Sequence, residues 1–182
     1  MLKIILIAGP SGAGKTTISE YLTKTYAIPR VITHTTRPMR TGETQNKSYY
    51  FESNKSFAQL HFFEHVTYGQ YQYGSSREAL RKAWQKSAVV SLIVDIKGAE
   101  AYLQKLGSHV YFLYVTVSHK EELEKRLLSR GDDPKKIKER LTGSELNVLP
   151  EQLKNRAHIL LNNNWKETKS QLSQLVAALQ SK

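Results

Sequence analysis

The sequence predicts an α/β fold: a parallel β-sheet flanked by helices, with an inserted mixed-β lobe and a helical lid. Three observations carry that expectation. Short apolar runs alternate with segments whose apolar residues recur at helical spacing, the pattern of strands joined by helical crossovers. A glycine-rich loop, Gly9 through Thr16, stands between the first apolar run and the first helical stripe. Residues 31–75 then break the rhythm, being rich in Thr, Tyr, Arg, Gly and Gln with short β-prone pieces.

Taken in order, Lys3-Ile-Ile-Leu-Ile-Ala8 is short and apolar, as a buried parallel strand is. Ile18, Tyr21 and Leu22 recur at i, i+3 and i+4 and open an amphipathic helix. Inside the lobe the pattern predicts one short helix, from about Lys55 to Leu60, and makes Tyr68, Tyr71 and Tyr73 candidates for a lobe core. Ala88–Val94 is the next buried strand, and Ala99, Tyr102, Leu103 and Leu106 stripe the helix after it. Val110–Val115 is β-branched and aromatic, hence a strand. Ser118-His-Lys-Glu121 has the form of a capping box ahead of Leu123 and Leu127. Gly131 to Lys138 interrupts two helical segments with turn residues, as a mobile lid would. Ala157–Leu161 is the last strand; Leu172, Leu175, Val176 and Leu179 stripe the closing helix. Trp84 and Trp165 fall on helices as core or core-edge residues. No repeat or linker divides the chain, so one domain is expected: a core of 1–30, 76–118 and 156–182, a lobe of 31–75, and a lid of about 119–155.

At 182 residues the chain can bury a large core, and 40% hydrophobic with 24% charged residues is ordinary globular composition. No apolar run reaches the length of about 18 residues that a spanning helix needs. The first apolar run is too short for a signal-peptide core. Without cysteine there are no disulfides or thiolate metal sites, and a cytoplasmic location is expected. His34, His61, His65, His109, His119 and His158 are scattered and read as packing or surface residues, so no structural metal is expected. A formal net charge of +11 draws anions. The positive residues are spread along the chain with no nucleic-acid-binding module, which favours nucleotides over nucleic acid as partners. Neither a nucleic-acid nor a membrane partner is expected, and the chain is expected to be a monomer or homodimer.

The glycine loop matches G-x-x-x-x-G-K-[ST] as Gly9, Pro10, Ser11, Gly12, Ala13, Gly14, Lys15 and Thr16. Strand, loop and helix N-terminus is the context in which backbone N–H groups and the helix dipole cradle phosphates. Lys15 would reach the β- and γ-phosphates of a nucleoside triphosphate, and the Thr16 hydroxyl would ligate Mg²⁺.

With that P-loop, further stretches resemble the guanylate kinase family. These are Gly9 to Thr17, then Thr35-Thr-Arg37-Pro-Met-Arg40-Thr-Gly42-Glu43 with Tyr49, then Glu64 followed by Tyr73 and Ser75. Arg126, Arg130-Gly131 and Arg140-Leu141 resemble its lid, and Ile159–Asn162 its last strand. The resemblance implies a P-loop kinase that phosphorylates GMP, and dGMP, from ATP with Mg²⁺. It assigns residues 31–75 to the GMP-binding lobe. It places Arg37, Arg40, Tyr49 and Tyr73 on the acceptor phosphate, and Glu64, Ser75, Thr33 and Asp95 on the guanine. Arg126, Arg130 and Arg140 become the lid arginines that offset charge on the transferring group, with Lys15 and Arg37 also catalytic. Thr17 joins the nucleotide-binding loop, and Asn162 would contact the adenine side. The chemistry agrees, since a guanidinium fork suits a phosphate and a carboxylate accepts from both N1–H and the 2-amino group of guanine. Three departures stand out: Ile93-Val-Asp95 replaces Asp-x-Asp, Ser48-Tyr49 and Gln70–Gly74 are altered, and Asn162-Asn-Asn164 lacks acids. Two other readings stay open. One is a degenerate domain that binds nucleotide or phosphorylated protein without transfer; the other is a P-loop kinase with a different phosphate-bearing acceptor.

Overall fold

Burial is deepest along β1 (Lys3–Ala8), where Ile4 to Ala8 are inaccessible to solvent. The structure, a computed structural model, describes residues 1–142 and 148–180. On one side β1 pairs with β6 (Val89–Ile93) and on the other with β7 (Val110–Thr116), which pairs with β8 (Ala157–Leu161). All three pairings are parallel, giving the order β6-β1-β7-β8. A strand covered on both faces must be apolar at every position, which is why Ile4–Ala8 shows no alternation.

Strand periodicity divides the interior into two layers. Ile4, Leu6 and Ala8 pack with Val90, Leu92, Phe112 and Tyr114 beneath α3 (Arg77–Trp84) and α4 (Ile96–Leu106). Ile5 and Ile7 pack with Leu113 and Val115 beneath α1 (Lys15–Tyr26) and α8 (Trp165–Gln180). The stripes Ile18/Leu22 and Leu172/Leu175/Val176 are the faces that these helices bury. Trp84 ties the first layer to the sheet by donating to the Lys3 carbonyl at 3.0 Å, and Trp165 sets its edge against Tyr21 at 5.3 Å.

The lobe is a second, mixed sheet. Its order is β3-β2-β5-β4, from Tyr50–Phe51, His34–Thr35, Tyr71–Ser76 and Phe62–Tyr68. β2 runs parallel to β3 and antiparallel to β5, which forms a hairpin with β4. Its short helix, α2, is Asn54–Phe57, starting from a Ser53–Ser56 capping box and shorter than the spacing suggests. His34 is a packing residue: buried, it bonds Glu52 at 3.0 Å and Ser76 at 2.8 Å. Burial pushes its pKa down despite Glu52. Tyr68, Tyr71 and Tyr73 do not make a lobe core. Tyr68 is exposed, and the rings of Tyr68, Tyr73 and Tyr49 instead form an edge-to-face row.

Two further expectations are corrected in the segment read as a lid. The Ser118 capping box does not form, because α5 (Lys120–Ser129) starts after His119 with no side-chain cap. Ser118 faces Asn163 instead, its N–H donating to Oδ1 at 3.0 Å and its hydroxyl accepting from Nδ2 at 2.6 Å. The interruption over Gly131–Lys138 is also shorter than expected. Pro134 occupies the first position of α6 (Pro134–Thr142), where its missing N–H costs nothing, and Asp133 accepts from the next two N–H groups. Only residues 130–133 separate the helices. Residues 143–147 of the lid range lie outside the described residues; α7 (Glu151–Lys154) then leads into β8.

The layering puts a severe constraint on the turn after β1. Gly9 has φ +139°, and a Cβ there would collide with the Val115 carbonyl of β7. Gly69 also has positive φ, at +60°, yet open space around it. Gly9→Ala is therefore expected to destabilise by about 3 kcal/mol or more and Gly69→Ala by about 1, read by urea denaturation. Equal losses would remove the close-approach argument.

Candidate functional site

The backbone of the turn after β1 is held from below. Gly12 and Gly14 take φ +83° and +96°, conformations that a side chain disfavours. A Cβ on Gly12 would meet the Leu123 carbonyl at 2.9 Å, and one on Gly14 would strike the Asn162 amide. The loop is thus pressed against β7, α5 and the end of β8. Helix α1 starts at its end with no side-chain cap and no acid in the first turn. Its free N–H groups and dipole face outward, as an anion site requires.

That loop floors a cleft of about 470 Å³ lined by Ser11, Gly14, Lys15, Thr16, Arg126 and Arg130. The Lys15 ammonium donates to the Gly9 and Pro10 carbonyls, both at 2.8 Å. Burial, with Arg130 nearby, pushes its pKa down to about 8. Thr16 and Thr17 are exposed at the start of the helix. The Arg126 guanidinium donates to the Asn162 carbonyl at 2.7 Å. Asn162 also lines this cleft, with its amide engaged from behind. It is buried, donates to Ala13 O at 2.8 Å and accepts from Thr168 at 2.9 Å. It braces the loop.

A second cavity, about 410 Å³, opens between the lobe and the carboxyl ends of the parallel strands. Thr33, Tyr49, Glu64, Tyr73 and Asp95 line it, and so does Lys15, the one residue it shares with the loop cleft. Glu64 owes its place to a bulge: Phe62 pairs with Ser76, but Glu64 with Ser75, leaving Phe63 free to turn into the core. Ser75, fully buried, donates to Glu64 Oε1 at 3.0 Å. Burial raises the Glu64 pKa, opposed by the Ser75 hydrogen bond and reinforced by repulsion from Asp95. Asp95 caps α4, accepting from the Gly98 N–H at 2.7 Å. Two carboxylates therefore converge on one cavity.

The arginines are placed less directly. Neither Arg37 nor Arg40 lines this cavity. The Arg37 guanidinium is 7% exposed and forked onto Glu43 at 2.7 and 3.0 Å, with the Tyr49 and Phe51 rings each 5.8 Å away. Glu43 also accepts from the Arg40 N–H at 2.8 Å, while the Arg40 side chain is exposed. These bonds hold the Glu43 pKa down, the Arg37 fork foremost. In the lid, Arg130 and Arg140 both pair with Asp132, the latter at 3.0 Å, and only Arg130 reaches the loop cleft. Glu43, Asp132 and Thr168 escape a sequence reading that looks for ligand contacts. An acid within a few residues of a motif arginine is the signal for the first two.

Among the described residues no group of three or more His, Cys, Asp or Glu could hold a metal, and no helix is long and apolar enough to cross a membrane. Thr16, exposed in the cleft, nonetheless fits a Mg²⁺ ion that arrives with phosphates. Such an ion takes most ligands from phosphate and water.

Sequence and structure comparisons agree with one another. The family model for guanylate kinase matches residues 1–179. Guanylate kinase of Anaplasma phagocytophilum (strain HZ) is 29% identical over 98% of this chain and 88% of its own. That of Helicobacter hepaticus (strain ATCC 51449 / 3B1) is 34% identical over 71% of this chain and 68% of its own. That of Escherichia coli (strain K12) is 33% identical, covering 74% and 68%. The crystal structure of guanylate kinase from Anaplasma phagocytophilum shares the fold, with a TM-score of 0.64 at 23% identity, covering 100% of this chain and 87% of that one.

Lys15 yields a test that needs no substrate. Its folded pKa is about 8 against an ordinary 10.5, so the unfolded chain binds the extra proton between those values. The penalty is fully present below about pH 8 and disappears as the pH rises toward 10.5. Lys15→Met should therefore stabilise the free protein at pH 7, by on the order of 2 kcal/mol. The gain should vanish near pH 10.5. Denaturation at the two pH values reads this; no gain at pH 7 would mean that the ammonium is well solvated.

Proposed function

Because the chain belongs to the guanylate kinase family, we propose that it transfers the γ-phosphoryl group of ATP to GMP, and to dGMP, giving ADP and the nucleoside diphosphate. The carrying observation is that Lys15, partly buried, lines both cavities, which would put its ammonium between donor and acceptor. In this reading the P-loop, Gly9 to Thr17, holds the triphosphate on backbone N–H groups. Thr16 supplies a hydroxyl to Mg²⁺, and the ion, when bound, neutralises phosphate charge. An oxygen of the acceptor phosphate attacks the γ-phosphorus in line as the bond to the bridging oxygen of ADP breaks. Lys15 stays beside the moving charge. Arg126 and Arg130 flank it from α5 and the turn after it, with Arg140 behind them on α6.

On the acceptor side, Glu64 accepts from N1–H and the 2-amino group, with Ser75, Thr33 and Asp95 around the base. Arg37, Arg40, Tyr49 and Tyr73 take the phosphate. Arg37 is already oriented but bound to Glu43, so the phosphate takes over a fork now held by a carboxylate. Arg130 likewise leaves Asp132 to meet the transferring group.

Ile93 favours a second reading. It lines the acceptor cavity at the strand end where the resemblance leads one to expect a carboxylate, and a site missing that group would bind nucleotide with little turnover. A coupled ADP-release assay across GMP, dGMP, AMP, UMP and CMP separates these readings. Binding without ADP release supports the second, and release with a different acceptor overturns the base assignment.

Base choice is the sharpest expectation. A hydrogen-bonded site rejects ligands that leave its carboxylates unpaired, so GMP should be used at least ~10³ times more efficiently than AMP. Glu64→Gln should erode that ratio more than it erodes ATP binding. GMP affinity in the wild type should fall as the pH drops through the Glu64 pKa, which lies above the usual carboxylate range. Selectivity untouched by Glu64→Gln would rule out base reading by that residue.

The arginines divide by role. Arg37→Ala and Arg40→Ala should raise KM for GMP far more than for ATP. Arg130→Ala should lower kcat with little change in GMP affinity. Lys15→Met should lose about two to three decades of rate. Three arginine variants with one kinetic profile would overturn this division.

A further inference from the structure

Tyr102 is fully buried on α4, with its ring stacked on Phe63 at 4.3 Å. It is the one side chain among the described residues whose buried polar atom, the hydroxyl, has no hydrogen-bond partner. A phenylalanine would keep the stack and leave no polar atom unmet, so packing does not account for the hydroxyl. Its surroundings do. Asp95, the cap of α4, with Gly98 and Tyr102 on the helix, shares the face turned toward Phe63 and Glu64 of β4. A Cβ on Gly98 would lie 3.4 Å from the Glu64 side chain and 3.2 Å from Asp95 Oδ1, so the helix sits directly against the two carboxylates. One turn on, the Tyr102 hydroxyl is acted on by the Ser75 hydroxyl and the Glu64 charge.

The inventory of protons narrows what that hydroxyl can do. Ser75 has one proton, and Glu64 takes it. The Ser75 oxygen keeps acceptor capacity, and a charged Glu64 only accepts. Burial drives the Tyr102 pKa up, so the phenol stays a neutral donor.

We propose that Tyr102 is a positioning residue for base recognition: its hydroxyl donates to Ser75 as a base seats on Glu64. This locks the Ser75 proton on the carboxylate and Glu64 in its accepting orientation. A donor behind Ser75 polarises it and strengthens its bond to Glu64. The inference rests on the reading of Glu64 as the group that meets the guanine edge.

The test uses the full chain and isothermal calorimetry with GMP and, separately, with ATP, alongside thermal melts. Tyr102→Phe should bind GMP about five- to tenfold more weakly, the worth of one hydrogen bond, with ATP affinity within about twofold. Its melting temperature should be unchanged or higher, because an unmet buried hydroxyl is removed. In a Ser75→Ala background the same substitution should change GMP affinity by less than about twofold, since the acceptor is gone. Unchanged GMP affinity in Tyr102→Phe overturns the inference alone. So does an additive double-mutant cycle, or a lower melting temperature with GMP and ATP weakened alike, which marks a packing role. A wild-type protein that binds ATP but not GMP overturns the guanine reading of Glu64 and, with it, this inference.

Discussion

The contact on which the site depends is the backbone approach of the glycine loop to the sheet and its neighbours. Gly9 runs under the Val115 carbonyl, Gly12 against the Leu123 carbonyl, and Gly14 against the Asn162 amide. These contacts join β1, β7, α5 and the end of β8 at one point. Because the loop is pressed so close, the first turn of α1 is presented with its N–H groups outward. For the same reason Lys15 is folded back over the loop, partly dehydrated, rather than extended into water. A cation held without full hydration is costly while no anion is present. Under the proposed function an incoming phosphate would relieve that cost and so couple loop geometry to binding.

Charge on the other site residues follows a related logic. Arg37 rests on Glu43, and Arg130 and Arg140 on Asp132, while Lys15 and Arg126 rest on carbonyl oxygens. Carboxylates thus hold these guanidinium groups oriented, and under the proposed function phosphates would take their place. The exchange trades one anion for another, so little net electrostatic energy is at stake in the buried Arg37 pair. What the pairs hold is orientation, which the proposed phosphoryl transfer would draw on.

The second cavity is built on the opposite principle. Glu64 and Asp95 are like charges brought together, Glu64 by the bulge at Phe63 and Asp95 by its place as the cap of α4. Burial and that repulsion both raise the Glu64 pKa, and Ser75 is the group that offsets them. In the proposed reading a ligand with two N–H donors would complete the offset. The Tyr102 hydroxyl lies behind this arrangement, unmet in the free protein, and its proposed use is to keep Ser75 committed.

By itself, the sequence determined the parallel sheet with its helical crossovers, the mixed lobe, the glycine loop and its following helix. It also determined the family to which the chain belongs. Each of these is written locally: apolar runs such as Ile4–Ile7 admit only a strand covered on both faces, and Gly9, Gly12 and Gly14 stand at fixed spacing. The local signals that misled were those open to a competing partner. Ser118 could cap α5 or meet Asn163, and the tertiary structure brings Asn163 to it. Pro134 and Asp133 could end a helix or begin one, and here they begin α6. Only the tertiary structure decided that Asn162 braces the loop, that Glu43 and Asp132 hold the arginines, and that a hydroxyl on α4 stands behind Ser75. Contacts such as Asn162–Ala13 join residues far apart in the chain. No local spacing encodes such a contact, because packing of the layers, rather than periodicity along one element, brings the partners together.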